Sequence, residues 1–178
     1  MTPRQSRRRR WDNRQAHCEK HLSRGRRRSL ALEALERRDL LATVTWDGDA
    51  GNLDWSNPLN WSTDQLPGAA DDVVIDVSGD VTITHPSGAD TIKSLTLRES
   101  LSVSGDSLTV TDSLLADSGL TLQALGGAEF VANGTATIDG TSVSATDGGR
   151  ISVQGLTRYD GQDAAALLLA QGAGSVLD

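Results

Sequence analysis

The chain has 178 residues, enough for one domain of ordinary size, but only 37% of them are apolar and 3% are aromatic, which excludes a large core of packed rings. Its single cysteine excludes an intrachain disulfide framework and a multi-cysteine zinc site. The formal net charge of −7 hides an asymmetry, because residues 1–38 carry 13 Lys and Arg against 4 Asp and Glu, whereas residues 39–178 carry 4 against 20. The sequence therefore divides into a basic arm and an acidic body.

The basic arm, residues 1–28, is predicted to be disordered. It contains two arginine runs and almost no aliphatic side chains, so ordering it would cost backbone entropy with little burial in return. Nucleic-acid binding through this arm is an alternative function, but the acidic body would repel phosphate, and no nucleic-acid partner is expected. A metal site on His17, Cys18 and His21 is also disfavoured, since no second cluster completes a tetrahedral set.

The composition of residues 29–42 predicts a short helix. They are rich in leucine and alanine, Ser29 is a suitable N-cap, and Glu33 and Arg37 form an i,i+4 pair in the favourable order. The segment is too short and too charged to cross a bilayer, which requires about 20 apolar residues. We therefore expect no transmembrane segment here.

The sequence of residues 32–42, LEALERRDLLA, follows an arginine-rich leader. It resembles the LEPR-XLL motif found near the start of exported proteins of planctomycete bacteria. The matching residues are Leu32, Glu33, Leu35, Glu36, Arg37, Leu40, Leu41 and Ala42. The resemblance implies a sorting segment, the export or sorting machinery as a partner, and an extracellular or cell-surface location.

Residues 43–72 hold three of the four tryptophans. Trp46 is followed by the string WSNPLNW, which contains Trp55, Asn60 and Trp61, and then by PG and DDVVI. This order resembles the segment that introduces β-solenoid regions in bacterial surface and autotransporter-like proteins. A solenoid exposes an apolar core and unpaired strand edges at its ends, and indole rings supply large areas to cover them. We predict that the three rings form a structural cap and that Asn60 satisfies a local backbone turn.

Two alternatives remain for this segment. Trp55 and Trp61 could instead form an exposed platform for sugar stacking, which would make the chain a glycan-binding adhesin module with cell-surface polysaccharide as its partner. Asp47, Asp49 and Asp54 lie in a glycine-bearing loop, and alternating carboxylates suit calcium. An EF-hand is excluded because its twelfth position is Pro58, and Asx turns are the preferred explanation of the carboxylates.

The body, residues 73–178, is rich in Ser, Thr, Gly, Asp and β-branched residues, which favours strands. Short alternating units recur, and their leading leucines are spaced 6, 7, 6 and 6 residues apart. These leucines are Leu95, Leu101, Leu108, Leu114 and Leu120. Three units take about 19 residues, as from Leu95 to Leu114 and from Leu101 to Leu120, so each strand should stack on its equivalent one coil away. This indicates an all-β fold, a parallel β-helix with three faces per coil and about five coils. The resemblance to surface proteins implies a right-handed coil.

The body carries few groups suited to catalysis. It contains only four Lys and Arg residues and one histidine, His85. Its aspartates are expected mostly at corners. The cations are Lys93, Arg98, Arg150 and Arg158. No phosphate-binding loop, serine-nucleophile elbow or HExxH string occurs. We therefore predict a non-enzymatic surface or structural protein used for display or adhesion.

Residues 172–178 resemble the start of another coil, so further coils of a longer chain are an expected partner.

Overall fold

The computed structural model describes residues 43–161 and 166–178. The predicted arm, 1–28, and the predicted helix and sorting motif, 29–42, lie outside the described residues. The described residues form an all-β structure whose parallel strands make a β-solenoid of about 5 turns with about 21 residues per turn. The predicted fold class is therefore confirmed.

The described residues contain twelve strands and one short 3-10 helix, Pro58–Asn60. The strands are β1 (Thr43–Thr45), β2 (Asp72–Ile75), β3 (Thr82–His85), β4 (Ala89–Leu97), β5 (Ser100–Val103), β6 (Ser107–Ala116), β7 (Thr121–Leu125), β8 (Glu129–Asp139), β9 (Ser142–Thr146), β10 (Arg150–Asp160), β11 (Leu168–Gln171) and β12 (Val176–Leu177). One sheet has the order β1-β2-β4-β6-β8-β10-β12 and the other β3-β5-β7-β9-β11. All strand neighbours within these sheets are parallel.

Each turn of the solenoid has three sides. The long strands β4, β6, β8 and β10 run along two of them, and the shorter strands of the second sheet supply the third. In β6 the inward side chains Leu108 and Val110 are separated from the next inward pair, Leu114 and Ala116, by residues 111–113. These three residues form the corner between two sides, so one continuous strand covers both.

The predicted spacing of 19 residues holds for one side of one turn only. Leu95 pairs with Leu114, as expected, 19 residues later. Leu101, however, pairs with Leu122 rather than Leu120, so that prediction is wrong by two residues. The corner before β7 includes Gly119, whose φ of +82° belongs to a turn. The even spacing of the leucines concealed this longer corner.

Inward side chains of successive turns stack into ladders that form the core. One ladder of the smaller sheet consists of Ile83, Leu101, Leu122 and Val143. A ladder of the larger sheet consists of Leu108, Phe130 and Ile151. All of these side chains are buried. Because each rung needs only one aliphatic residue, a core of this type requires few aromatic rings.

A column of closely approaching backbones lies at the corner between the two long sides. A Cβ on Gly134 would overlap the backbone of Asp112, and a Cβ on Gly155 would overlap the carbonyl oxygen of Gly134. Successive turns can therefore approach at this corner only if β8 and β10 carry glycine there.

We expect Gly134→Ala to lower the free energy of unfolding by about 3 kcal/mol or more, because an overlap with backbone cannot be relieved by a rotamer change. Gly119→Ala is the matched control, since its Cβ would meet nothing within 4 Å and only the positive φ costs about 1–2 kcal/mol. Urea denaturation followed by circular dichroism measures both variants. Equal losses would contradict a steric origin at the corner.

Candidate functional site

The segment of residues 43–72, which we call the tryptophan cap, contains β1, the first strand of the larger sheet, and covers β3, the first strand of the smaller sheet. β1 pairs with β2, and the Trp46 amide donates to the Val74 carbonyl at 2.9 Å. On the other sheet, the Trp55 amide donates to the Thr84 carbonyl at 2.8 Å, and the Thr84 amide donates to Leu53. The cap therefore occupies backbone groups that would otherwise form an open edge.

The three rings of the cap pack edge to face. Trp46 and Trp61 lie 5.0 Å apart at 85°, and Trp55 and Trp61 lie 4.7 Å apart at 76°. Trp46 is 4% exposed and the other two are 0% exposed, and the Trp61 Nε1 donates to the Trp55 carbonyl at 2.9 Å. Sugar stacking requires open, roughly coplanar rings, so this geometry argues against the glycan platform on Trp55 and Trp61.

Asn60 closes the loop between the rings. Its buried side-chain Oδ1 accepts from the Ala50 amide at 3.1 Å, and its Nδ2 donates to the Asn52 Oδ1 at 2.8 Å and to the Asp54 carbonyl at 3.0 Å. Because a buried amide is costly unless its donors and acceptors are paired, these bonds determine the path of residues 50–60. This is the backbone role expected of Asn60.

The aspartates considered for calcium hold turns instead. The Asp47 Oδ1 accepts from the Asp49 amide at 3.3 Å, and the Asp54 Oδ1 accepts from the Ser56 amide at 2.8 Å. Within residues 43–161 and 166–178, no group of three or more His, Cys, Asp or Glu side chains is arranged to hold a metal ion. The geometry therefore favours Asx turns over a calcium site on Asp47, Asp49 and Asp54.

A buried polar group joins the cap to the first turn of the solenoid. The Asp90 Oδ2 lies 3.0 Å from the Nε2 of His85, which is fully buried, and it accepts the indole N–H of Trp55 at 3.1 Å. The Trp55 and His85 rings also meet edge to face with centroids 5.8 Å apart. One carboxylate oxygen thus holds a ring from the cap and a ring from β3, and we call these three side chains the His-Asp-Trp joint.

The register of the strands explains why this joint lies at the core. His85 pairs with Val103 and Asp90 pairs with Leu108, so both occupy inward positions that the next turn fills with aliphatic residues. In the sequence, His85 is notable only as the one histidine of the body, and no role is expected of Asp90. The available signal was a carboxylate at an inward position of an alternating strand, because a charged group that faces an apolar core implies a polar partner there.

The His-Asp-Trp joint keeps its histidine away from solvent. A histidine and aspartate pair can act as a general base when its free ring nitrogen reaches a substrate. Here the Nδ1 of His85 is buried and has no hydrogen-bond partner among the described residues. His85 is also 0% exposed, so its ring does not line a surface in this structure.

Ion pairs run between turns along the outside of the solenoid. Arg98 bridges Asp76 at 2.5 Å and Asp117 at 3.4 Å, which lie on the preceding and following turns. Other pairs connect Arg150 with Glu129 and Asp178, Arg158 with Asp139 and Asp160, and Lys93 with Asp72. All four Lys and Arg residues between positions 43 and 178 are thus paired with carboxylates. Exposed pairs of this kind contribute about 0–1 kcal/mol each.

Two of these charged side chains, Asp72 and Arg158, have shifted pKa values. The hydrogen bond from the Ser94 hydroxyl, at 2.6 Å, and that from Lys93 hold the pKa of Asp72 below its usual range. The hydrogen bond to Asp160 raises the pKa of Arg158. Both shifts favour the charged forms and so preserve the ion pairs.

Comparison with known proteins adds no identification: no protein-family model, curated protein or solved structure matches the chain. Among the described residues, no helix has the length and apolar character needed to cross a membrane.

We expect Asp90→Asn to lower the free energy of unfolding by about 2 kcal/mol, because the charge-assisted bonds to His85 and Trp55 are lost. Asp112→Asn is the control, since Asp112 is exposed and its side chain makes none of these contacts. Urea denaturation measures both variants. A loss no larger in Asp90→Asn than in Asp112→Asn would show that the joint does not hold the cap.

We expect Ser94→Ala to raise the pKa of Asp72 towards its ordinary value of 3.8. A depressed folded-state pKa contributes stability above the unfolded-state pKa, and this stability is lost as the pH falls through the folded-state pKa. In the variant, the contribution of the Asp72 carboxylate to the free energy of unfolding should therefore be smaller and should disappear at a higher pH than in the wild type. Carboxyl NMR titration measures the shift, and Ser113→Ala, one turn away in register, should leave it unchanged.

Proposed function

We propose that the chain is a non-enzymatic, exported structural protein of the cell surface. In this proposal residues 29–42 act as the sorting segment, the tryptophan cap begins the folded part, and the solenoid forms a rigid body for display or adhesion. A β-solenoid is compatible with a surface or structural repeat protein. The proposal joins that architecture to the LEPR-XLL-like motif of residues 32–42.

The proposal rests on how the charged side chains of the body are paired. The four cations of the body form ion pairs with carboxylates, nearly all of them across turns. His85 is buried against Asp90 and Trp55. An enzyme that acts on an anionic polysaccharide needs cations that are not already paired with carboxylates to bind its substrate, and an accessible acid or base. These residues instead stabilise the solenoid, which supports a structural role.

A structural role would follow directly from the fold. Parallel ladders of backbone hydrogen bonds run the length of both sheets, and the stacked core makes each turn depend on its neighbours. Positions 39–178 hold 20 acidic residues and only 4 basic ones. The resulting negative charge opposes association through the sides of the body. A rigid rod with repulsive sides suits a stalk or a display surface.

The export part of the proposal can be tested in the native cell with a carboxyl-terminal epitope tag. We expect the wild-type chain to be degraded by protease added to intact cells, and the double variant Leu40→Asp, Leu41→Asp to remain inside and protected. Leu22→Asp, which lies in the basic arm outside the motif, is the control and should still be exported. Protection of the wild type would overturn the surface location, and export of the double variant would overturn the sorting role.

A further inference from the structure

A cavity lies between the tryptophan cap and the first turn of the solenoid. Its volume of about 390 Å³ is within the range of small-molecule sites, about 300–1,000 Å³. One wall is the cap loop of residues 47–53, and the other is the corner of residues 76–81 between β2 and β3. The corresponding corner of the next turn is only residues 98–99. The longer corner therefore occurs where it helps to enclose the cavity.

An indole N–H without a protein acceptor lies at this cavity. Trp46 lines the cavity and is only 4% exposed. The other two indoles of the cap donate hydrogen bonds within the structure. The Trp46 N–H, by contrast, has no acceptor among residues 43–161 and 166–178. Because a nearly buried donor is costly when it is unpaired, an acceptor on a ligand would be favourable there.

The glycines of the cap loop keep this N–H uncovered. Gly48 and Gly51 both have a φ of +69°, a backbone conformation that favours glycine. A Cβ on Gly48 would lie 3.3 Å from the Trp46 Nε1, whereas a Cβ on Gly51 would meet nothing within 4 Å. Gly48 also lines the cavity. The missing side chain at position 48 therefore leaves the N–H accessible from the cavity.

Both walls are held in place by hydrogen bonds to the rest of the protein. The Asp47 amide donates to the Asn60 carbonyl at 2.9 Å, and the Ala50 amide donates to the Asn60 Oδ1 at 3.1 Å. Across the cavity, the Val81 amide donates to the Glu99 Oε2 at 3.2 Å. A ligand can therefore bind without the cost of ordering these walls.

The lining favours a neutral ligand that has both polar and apolar parts. The carboxylate of Asp47 adds negative charge, which disfavours an anion. The Trp46 N–H is a donor only, so the ligand has to offer an acceptor. The apolar side chains suit a methyl group, and the polar side chains suit hydroxyls. The apolar lining residues are Trp46, Leu53, Val77 and Val81, and the polar ones are Asp47, Asn52 and Ser78.

We propose that this cavity binds a neutral N-acetylated amino sugar as the terminal residue of a polysaccharide. The acetamido carbonyl accepts the Trp46 N–H, the acetamido methyl lies against the apolar side chains, and the ring hydroxyls reach the polar ones. This binding gives the proposed adhesion role a ligand and in that respect rests on the proposed function. It differs from stacking on Trp55 and Trp61, because it uses the edge of an indole rather than its face.

Titration of the purified 178-residue chain with the methyl β-glycoside of N-acetylglucosamine tests the proposal. Nitrogen–proton correlation NMR follows the indole signals, and the Trp46 signal is identified by its loss in Trp46→Phe. We expect that signal to shift with a dissociation constant of about 1 mM, and methyl β-glucoside, which lacks the acetamido group, to bind at least about tenfold more weakly. No shift up to about 50 mM, or equal affinity for the two glycosides, would overturn the proposal.

Two glycine variants locate the site. Gly48→Ala places a methyl group beside the Trp46 N–H and should weaken binding at least about tenfold. Gly51→Ala is the matched control, because it has the same φ and its Cβ meets nothing within 4 Å, and it should bind the sugar like the wild type. Unchanged affinity in Gly48→Ala, or an equal loss in both variants, would overturn the assignment of this cavity.

The two glycosides are compared on the wild type, so that result does not depend on either variant remaining folded, which circular dichroism checks. The assay also uses purified protein. Failure to bind the sugar therefore leaves the surface location and the sorting role of residues 29–42 untouched, and retention of the chain inside the cell leaves the sugar site untouched.

Discussion

The stacking of equivalent residues from successive turns is the interaction on which the rest of this structure depends. A single turn of three short strands cannot bury its apolar side chains or pair its own backbone groups. Each inward position therefore has to be compatible with the residue one turn before and one turn after it. This requirement explains the aliphatic ladders through Leu101 and Leu108, the glycine at the Gly134 corner, and the ion pairs of Arg98 with carboxylates on both sides.

The first turn of the described residues has the tryptophan cap before it instead of another turn, and the chemistry of the core changes there. The inward positions of His85 and Asp90 become polar, and Asp90 accepts the indole N–H of Trp55. Three edge-to-face rings then replace the missing rung. The aromatic residues are therefore concentrated where stacking begins, because only there must a large area be covered without a repeat of the same residue.

The sequence was sufficient to predict the fold class because the period-two pattern and its return after about 20 residues are properties of the solenoid itself. It predicted the pairing of Leu95 with Leu114, but it misplaced the partner of Leu101, because a corner can lengthen without disturbing the strand pattern. Gly134 was missed because its close contact is with Asp112, in a different turn. Asp90 was missed, although it shares the inward face of β4 with Ile92, because the aspartates of the body were expected mostly at corners.

The tryptophan cap also affects where the described part of the solenoid can begin to unfold. In a fold whose units contact only their neighbours, local unfolding begins where a unit has one neighbour instead of two. Here β11 and β12 have no outer neighbour among the described residues, whereas β2 and β3 are held by the tryptophan cap. Amide protection against hydrogen exchange in β2 and β3 should therefore equal that of the middle turns, because the tryptophan cap supplies the neighbour that an end turn lacks.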